Sequence, residues 1–540
     1  MLSRVVPACL RSQARGFFKI GKSPRRDEVF LVPIEGVDKE GNGVVEIQWE
    51  TRQKQIAPTR LLVRGALPGE TVQVRVVSVF SEGGSAVHTV RAVLFGRRER
   101  LIRPRIDSEP WRSSLEPELL PTGFQESNDL CSFACPHFDR RHDELSCSGC
   151  TVPHLHYSRQ ITEKTRLLRS SLAGAVDAQI TVEPRSQITR YSEKFEVIAF
   201  ANRPLEQPRW GQASFNKPLP GERANFVETP GCLKISKSAQ TVLNRLSDLV
   251  AVAHAEEPES FSVFDQILGK GYLRSAIFQS VRNAAGEIEL LLTLVTAREC
   301  PSSVAGAFKA KLADRLVAEF PLLKGVVLME ARPSGDRDRE FILESPKVLA
   351  GQSYIETIVA DRRIQLGSKT QFWDSELARK IVPEIVAATG NGPVAEFFPS
   401  DGSLTKLLRE TGVAVTSGQL LLEDAGKAEA EISASNEAKV IQTAVISFPN
   451  EQSKAMIKGV TPKQFRHWLG NVLKPNRIVM VTDRWDGLRK DIGHMKLLGY
   501  ELRKIRAFDS QPGNMDGIVV LVVMEKKGSY DPLRPEQLIE

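Results

Sequence analysis

The feature that most constrains the fold is a regular alternation of helix and strand patterns from about residue 370 onward. Apolar residues recur at helical spacing in SELARKIVPEIVAAT and SLTKLLRET, and strand-like runs such as RIVMVTD and DGIVVLVVMEKK lie between and after such segments. Strands that alternate with helices form mostly parallel sheets covered on both faces. We therefore predict that residues 366–530 form a Rossmann-like, doubly wound domain, followed by a tail at 531–540.

The rest of the chain predicts two further folded parts, so the whole is a multi-domain α/β protein. Residues 28–98 contain five short strand-like runs separated by Gly and Asn, which predicts a small OB-like β-barrel, a fold often used to bind nucleic acid. Residues 99–130 contain four prolines and no clear period, which indicates a linker or insertion. Residues 131–365 predict a central α+β domain, in which GYLRSAIFQSVRNAAGEIELLLTLVT indicates a hairpin.

The first 26 residues are rich in arginine and lysine, and no Asp or Glu precedes Asp27. An amphipathic, basic and acid-free start is typical of a mitochondrial presequence, and a disordered basic tail is the alternative. We therefore predict a presequence at 1–26 and a mitochondrial matrix location. The net charge of +7 is compatible with a polyanionic partner. The sequence contains no apolar run long enough to predict a membrane-spanning helix.

The segment CPHFDRRHDELSCSGC, residues 135–150, holds three of the seven cysteines of the chain. A disulfide, a zinc site, an iron–sulfur site and buried thiols are all compatible with the spacing. In a reducing compartment, clustered cysteines favour a metal site over a structural disulfide.

Five landmarks in order along the chain resemble those of the RNA 5-methyluridine methyltransferases that act on tRNA and large-subunit rRNA. The resemblance spans about residues 28–527 and implies a TRAM RNA-binding domain at 28–98, an iron–sulfur segment and a methyltransferase domain. The landmarks are GALPGE (65–70), CPHF with CSGC and PHLHY (135–157), GYLRSAIFQ (271–279), VLAGQSYIETIVADRRIQLGS (348–368) and VTDRWDGLRKDIGHMKLLGYEL (481–502).

The resemblance implies a four-iron, four-sulfur cluster, with zinc as the less favoured metal. Soft thiolate ligands suit either metal. Cys131 is an alternative first ligand, and the gap between the first two ligands is longer than in the family. The implied ligands are Cys135, Cys147, Cys150 and Cys232.

The residues that the family uses for chemistry are replaced in this chain. The resemblance places Asp483 at the position of the nucleophilic cysteine, and no cysteine follows Cys300. A thiolate must attack uridine C6, and a carboxylate is a far poorer nucleophile for that carbon. The general base falls on Asp516 or its neighbour Gly517, and Pro449 alone remains of a further family motif.

The cofactor turn is degenerate in the same way. Gly402 and Ser403 match its end, but Ser400 replaces an earlier glycine that would let backbone amides approach the cofactor. The acidic residue expected to bind the ribose falls near Thr416, and Asp374 takes the place of a family asparagine. We therefore predict that S-adenosylmethionine is not bound.

These substitutions favour an RNA-binding protein that has lost methyl transfer, although enzyme status stays open. The predicted role is assembly of the mitochondrial ribosome, with ribosomal RNA and ribosomal precursor proteins as partners. The alternatives are an active RNA 5-methyluridine methyltransferase and a structural subunit of a mitochondrial ribonucleoprotein. The candidate RNA-binding residues are Arg60, Arg64, Arg97, Arg98 and Arg100.

Overall fold

The computed structural model describes a large part of the chain, and several predictions fall outside that part. Those are the presequence at 1–26 apart from residues 18–20, the linker at 99–130, the tail at 531–540, Cys131, Gly402, Pro449, Arg97, Arg98 and Arg100. The described residues are 18–20, 29–50, 56–81, 88–94, 135–138, 146–176, 179–203, 206–214, 226–265, 271–297, 300–333, 341–343, 346–359, 361–370, 374–390, 392–397, 403–410, 412–417, 441–448 and 462–528.

The chain divides into two compact units. The first comprises Met1–Leu167, Gln212–Val227 and Gln511–Gly517, and the second comprises Leu168–Gly211, Glu228–Ser510 and Ile518–Glu540. None of the helices in the described ranges is both long and apolar enough to cross a membrane.

The first unit begins with a β-barrel. Its strands are β1 (Phe18–Ile20), β2 (Val29–Pro33), β3 (Gly36–Val37), β4 (Gly43–Glu50), β5 (Ile56–Arg64), β6 (Thr71–Ser81) and β7 (His88–Leu94). They are hydrogen-bonded in the order β1-β4-β5-β7-β6-β2, and β3 pairs with β4. Because β2 pairs with β6 and the adjoining β3 pairs with β4, the segment 29–37 closes the sheet on itself. The predicted N-terminal β-domain is present.

Alternating apolar residues explain why these strands close around a core. On β6 Val72, Val74 and Val76 point inward and are fully buried, whereas Arg75 between them is exposed. A period of two is what a half-buried strand requires. The remaining core residues of the barrel are Val32, Ile34, Val45, Ile47, Leu61, Val63 and Ala66.

The GALPGE loop between β5 and β6 is held by a buried carboxylate. Gly65 and Gly69 have φ angles of 76° and 86°, which residues with a Cβ rarely adopt. Glu70 is fully buried, and its Oε2 accepts a hydrogen bond of 2.7 Å from the backbone N–H of Leu67. The Gly69 N–H donates to the carbonyl of Ile34 on the closing segment. The loop is therefore hydrogen-bonded to the segment 29–37, which closes the barrel.

A central sheet of eight strands lies largely in the second unit. Their order is β11-β10-β9-β12-β13-β14-β15, and β16 also pairs with β14. A separate two-stranded ribbon, β17-β18, follows. The bounds are β9 (Lys194–Phe200), β10 (Arg209–Ala213), β11 (Phe226–Glu228), β12 (Leu273–Arg282), β13 (Ile288–Ala297), β14 (Leu323–Pro333), β15 (Phe341–Leu343), β16 (Lys347–Gly351), β17 (Tyr354–Val359) and β18 (Arg362–Gly367).

The predicted hairpin of the central domain is confirmed as β12 and β13, which pair antiparallel. Asn283 makes the turn because its side-chain oxygen accepts hydrogen bonds from the backbone of Ala285 and Glu287, at 2.9 and 3.0 Å. One face of this sheet packs against helices through a large apolar cluster that includes Phe278, Leu292 and Phe308.

The C-terminal sheet confirms the predicted Rossmann-like architecture. Its strands run in the order β20-β19-β21-β22-β24-β23-β8. Strands β20, β19, β21 and β22 are mutually parallel, and β24 is antiparallel to β22. The bounds are β8 (Val182–Glu183), β19 (Val394–Phe397), β20 (Val415–Ser417), β21 (Thr443–Phe448), β22 (Arg477–Thr482), β23 (Tyr500–Asp509) and β24 (Ile518–Lys526).

Helices cover both faces of this sheet. Leu377, Ile381 and Leu404 pack on one face with Val445 and Val479. On the other face, Phe397 contacts the rings of Phe465 and Trp468, with centroids 5.4 and 5.9 Å away.

The α-helices of the described part of the chain are α1 (Tyr157–Leu172), α2 (Lys237–Glu256), α3 (Ser302–Phe308), α4 (Asp314–Glu319), α5 (Ser375–Thr389), α6 (Ser403–Glu410), α7 (Pro462–Trp468) and α8 (Leu488–Leu497).

Replacing Glu70 by alanine tests the account of the barrel loop. Glu70→Ala leaves the buried N–H of Leu67 without this acceptor, which costs about 1–3 kcal/mol. Hydrogen–deuterium exchange of the full-length protein is expected to show faster exchange at 61–76. Glu40→Ala is the matched control because the Glu40 side chain is 60% exposed. Equal exchange in the two variants would contradict the assigned role of Glu70.

Candidate functional site

The carboxyl edge of the parallel strands is the candidate site. Strands β19, β20, β21 and β22 are parallel and end at this edge. Strand β19 lies between β20 and β21, the two strands that follow it along the chain. The strand order therefore reverses at β19. In open α/β sheets, ligands bind outside the carboxyl ends of the strands at such a reversal.

Asp483 lies directly after β22, at this edge, and is exposed. The turn that follows is fixed by the Thr482 hydroxyl, which accepts a hydrogen bond of 2.9 Å from the Arg484 N–H. Helix α8 begins at Leu488. The position that the resemblance assigns to the nucleophile is therefore a carboxylate in a strand-to-helix turn.

Sequence reasoning missed Glu396, a buried carboxylate at the same edge. It lies on β19, only 2% exposed, among three fully buried apolar residues. The hydroxyl of Thr405 on α6 donates to its Oε2. The signal in the sequence was an acidic residue inside the short strand VAEF, because a carboxylate is rarely buried without a partner.

The described residues at this edge include part of the set that the resemblance implies for S-adenosylmethionine. Ser403 begins α6, and the preceding residues 398–402 lie outside the described part. The end of β20 presents the hydroxyl residues Thr416 and Ser417 where an acidic residue is expected for the ribose. The carboxylate of Glu396 is already engaged by α6.

Asp374, which takes the place of a family asparagine, has a structural role. Its carboxylate caps α5 by accepting from the backbone of Glu376 and Leu377, both at 3.2 Å. It also forms a bidentate pair with Arg185, whose side chain is 3% exposed, at 2.7 and 3.0 Å. These bonds occupy both carboxylate oxygens of Asp374.

Glu193 is a second residue that the sequence did not reveal. Its Oε2 accepts hydrogen bonds from the N–H and the hydroxyl of Ser375, both at 2.9 Å. Burial raises the pKa of Glu193 to about 7, and the charge of Asp374 adds to the rise. The bonds from Ser375 and the charge of Arg185 partly offset it. Glu193 and Ser375 are 182 positions apart, so no local pattern could have linked them.

Hydrogen bonds that involve backbone groups hold the cysteine segment of the first unit in place. Cys147 donates its N–H to the carbonyl of His137 at 2.8 Å, and its Sγ accepts from the Gly149 N–H at 3.3 Å. The Ser148 hydroxyl donates to the carbonyl of Ala213 at 2.8 Å. No disulfide joins the described cysteines, which include Cys135 and Cys150.

Asp516 lies in the loop 511–517, which belongs to the same unit. Thr151 and Val152 both donate backbone N–H groups to the carbonyl of Gly513, at 2.9 and 2.8 Å. Lys164, fully buried on α1, donates to the carbonyls of Gln511 and Gly517 at 3.0 and 3.2 Å. Asp516 itself is exposed.

Cys232 lies in the second unit, in a loop held by Arg190. The Arg190 guanidinium donates to the carbonyls of Cys232 and Ile235 at 2.7 and 2.9 Å. Arg190 itself has a φ angle of 57°, an uncommon conformation for a residue with a Cβ.

The predicted metal ligands do not form a complete site in the described geometry. Within the described ranges, no group of three or more His, Cys, Asp or Glu side chains is arranged to hold a metal ion. The four-cysteine cluster, including its Cys131 alternative, stays a prediction.

The predicted RNA-binding arginines are only partly described. Arg60 is exposed on β5, opposite Glu46 of β4, and Arg64 is half-buried at the end of β5. In the C-terminal domain, Arg466 pairs with Asp491, and Arg477 pairs with Glu525. These last two arginines therefore have partners within the protein.

Comparisons with known proteins support the resemblance. No protein-family model matches the chain. An uncharacterized RNA methyltransferase of Bacillus cereus is 21% identical over 509 residues, which cover 90% of this chain and 95% of that protein. Another, from Caldanaerobacter subterraneus, is 22% identical over 406 residues, covering 71% of this chain and 81% of that protein.

A solved structure shares the fold of the chain. The tRNA (uracil-54, C5)-methyltransferase of Pyrococcus abyssi, in complex with S-adenosyl-L-homocysteine, superimposes with a TM-score of 0.55 at 16% identity. The match covers 92% of this chain and 100% of the Pyrococcus abyssi chain. The predicted resemblance and fold class are thus confirmed. The chain is similar in sequence to bacterial RNA methyltransferases and shares the fold of a tRNA (uracil-54, C5)-methyltransferase.

Proposed function

We propose that the protein binds ribosomal RNA in the mitochondrial matrix as a ribosome assembly factor and that it no longer transfers methyl groups. The observation that carries this proposal is the carboxylate of Asp483 in the turn after β22. Uridine is alkylated at C5 only after a nucleophile adds at C6, and thiolates add to such carbons far better than carboxylates do. The sequence has no cysteine after Cys300 that could replace it.

A methyl-transfer assay tests this loss of chemistry. The full-length protein is incubated with tritiated S-adenosylmethionine and unmodified ribosomal RNA, with an active relative as the positive control. We expect no incorporation above background, because neither Asp483 nor Asp516 forms the required adduct. Incorporation that is abolished by Asp483→Ala and retained by Asp486→Ala, in the same exposed turn, would identify Asp483 as catalytic and contradict the proposal.

The ribosomal and mitochondrial parts of the proposal rest on sequence features. The basic, acid-free first 26 residues support mitochondrial import, and the net charge of +7 supports an anionic partner. The exposed Arg60 on the barrel is suited to neutralise a phosphate without reading base sequence. An assembly factor of this kind holds an RNA segment until the subunit matures.

Cross-linking and sedimentation test the RNA partner. We expect the protein to cross-link to large-subunit ribosomal RNA and to co-sediment with precursors but not with mature mitochondrial ribosomes. Arg60→Glu with Arg64→Glu is expected to weaken RNA binding about tenfold or more, since phosphate contacts dominate such affinities. Arg362→Glu with Arg363→Glu, both exposed on β18, is the matched control.

Two other results would contradict assembly. Equimolar protein in mature ribosomes would indicate a structural subunit instead. Absence from every ribosomal fraction, together with normal ribosomes after depletion of the protein, would remove the ribosomal role altogether.

We also propose that the cysteines hold an iron–sulfur cluster, with zinc as the alternative. The support is the resemblance and the four soft ligands Cys135, Cys147, Cys150 and Cys232. Anaerobically purified protein is expected to contain about four irons per chain and to absorb visible light. Cys147→Ser is expected to lower the iron content, whereas Cys300→Ser leaves it unchanged. Protein without iron and without visible absorption would contradict the cluster, and stoichiometric zinc would support the alternative.

An active uridine methyltransferase is the second candidate function. The observation in its favour is that the solved relative of the same fold carries S-adenosyl-L-homocysteine. It also requires a nucleophile at the carboxyl edge, and Asp483 is the acidic residue that directly follows β22. The methyl-transfer assay separates the two functions.

A further inference from the structure

Glu193 links the central sheet to the first turn of α5. Its backbone carbonyl accepts a hydrogen bond of 2.7 Å from the Ser280 N–H, which fixes it beside β12. Its side chain accepts the two bonds from Ser375, the first residue of α5. The contact therefore joins a residue beside the central sheet to a helix that packs on the C-terminal sheet.

Acidic groups outnumber basic groups around this contact. Asp374 lies next to Ser375, and Glu376 accepts a hydrogen bond of 2.8 Å from the Ser186 N–H. Asp509 is fully buried and acts on the same guanidinium, that of Arg185. Arg185 is the buried cation of the group, at 2.7 Å from Asp374 and 3.6 Å from Glu376.

Two lysines approach the group from its edges. Lys380 lies 3.5 Å from Glu376, with its side chain 30% exposed. Lys194 is exposed and donates its Nζ to the carbonyl of Thr370 at 2.9 Å. Ionisation of Glu193 therefore adds a negative charge beside three other carboxylates. Asp374, Glu376 and Asp509 already share the buried guanidinium of Arg185. Like charges in a partly desolvated cluster repel one another.

We propose that Glu193 is a proton-dependent switch that sets how firmly the first turn of α5 is held against the central sheet. In its neutral form, Glu193 still accepts hydrogen bonds from Ser375 without adding charge. In its ionised form, it repels Asp374, whose carboxylate caps the same turn. The inference is independent of whether methyl transfer has been lost.

The direction of the effect follows from the pKa of the group. Burial and Asp374 raise the pKa of Glu193 from 4.5 to about 7. The folded protein therefore binds this proton more tightly than the unfolded chain does. The contact is strongest below about pH 4.5, weakens as the pH rises and has lost the contribution of the proton above about pH 7.

Hydrogen–deuterium exchange at pH 6 and pH 8 tests the switch, with rates corrected for intrinsic chemistry. Because the pH crosses the folded pKa, the protection of residues 374–380 in the full-length protein is expected to fall about tenfold. Glu193→Gln is expected to abolish this pH dependence. Glu319→Gln, at an exposed pair with Arg245, is expected to keep it.

A second variant protects the test against misfolding of Glu193→Gln. The Ser375 hydroxyl bond lowers the pKa of Glu193, so Ser375→Ala is expected to move the midpoint of the transition to higher pH. An unchanged midpoint in Ser375→Ala would overturn the proposal. So would a pH dependence that persists in folded Glu193→Gln or is absent from the unsubstituted protein.

Discussion

The bidentate pair between Arg185 and Asp374 is the interaction on which the arrangement of the second unit depends. Arg185 follows β8, which pairs with β23 in the C-terminal sheet, and it donates to the carbonyl of Ser510 just after β23. Asp374 caps α5, whose residues Leu377 and Ile381 enter the core of that sheet. Removing one member of a buried ion pair leaves an uncompensated charge and typically costs about 3–5 kcal/mol. The pair therefore fixes the first turn of α5 to the segments that follow β8 and β23.

Elements with a local pattern could be predicted from the sequence, and contacts between distant residues could not. The β12–β13 hairpin was predictable because Asn283 makes its turn within five residues. The parallel strands were predictable because apolar runs such as β22 are buried almost from end to end. The contact of Glu193 with Ser375 joins residues 182 positions apart, so it appears only when the sheet and α5 pack together.

The candidate site was predictable in position but not in its contacts. The resemblance assigned the nucleophile position to Asp483, and the structure puts this residue in the turn after β22. The bond between Thr405 and Glu396 depends on α6 lying over β19, which no periodicity specifies. The anchoring of loop 511–517 by Lys164 likewise joins residues more than 340 positions apart, since their separations are 347 and 353.

Loss of chemistry with retention of the fold is physically reasonable for this architecture. The sheet is stabilised by many buried apolar residues spread along its strands, whereas methyl transfer needs a few side chains in the turns after them. The carboxylate of Asp483 lies in an exposed turn, where it does not disturb the apolar core. The proposed loss therefore requires no change in the parts that hold the protein together.

Calorimetric titration of the anaerobically purified, full-length protein with S-adenosylmethionine tests the central claim most directly, with an active relative titrated alongside. Because hydroxyl residues end β20 and Glu396 is engaged by Thr405, we expect no binding heat at micromolar concentrations. Micromolar binding would contradict that prediction, and Asp483 and Asp516 would then be the first residues to test for catalysis.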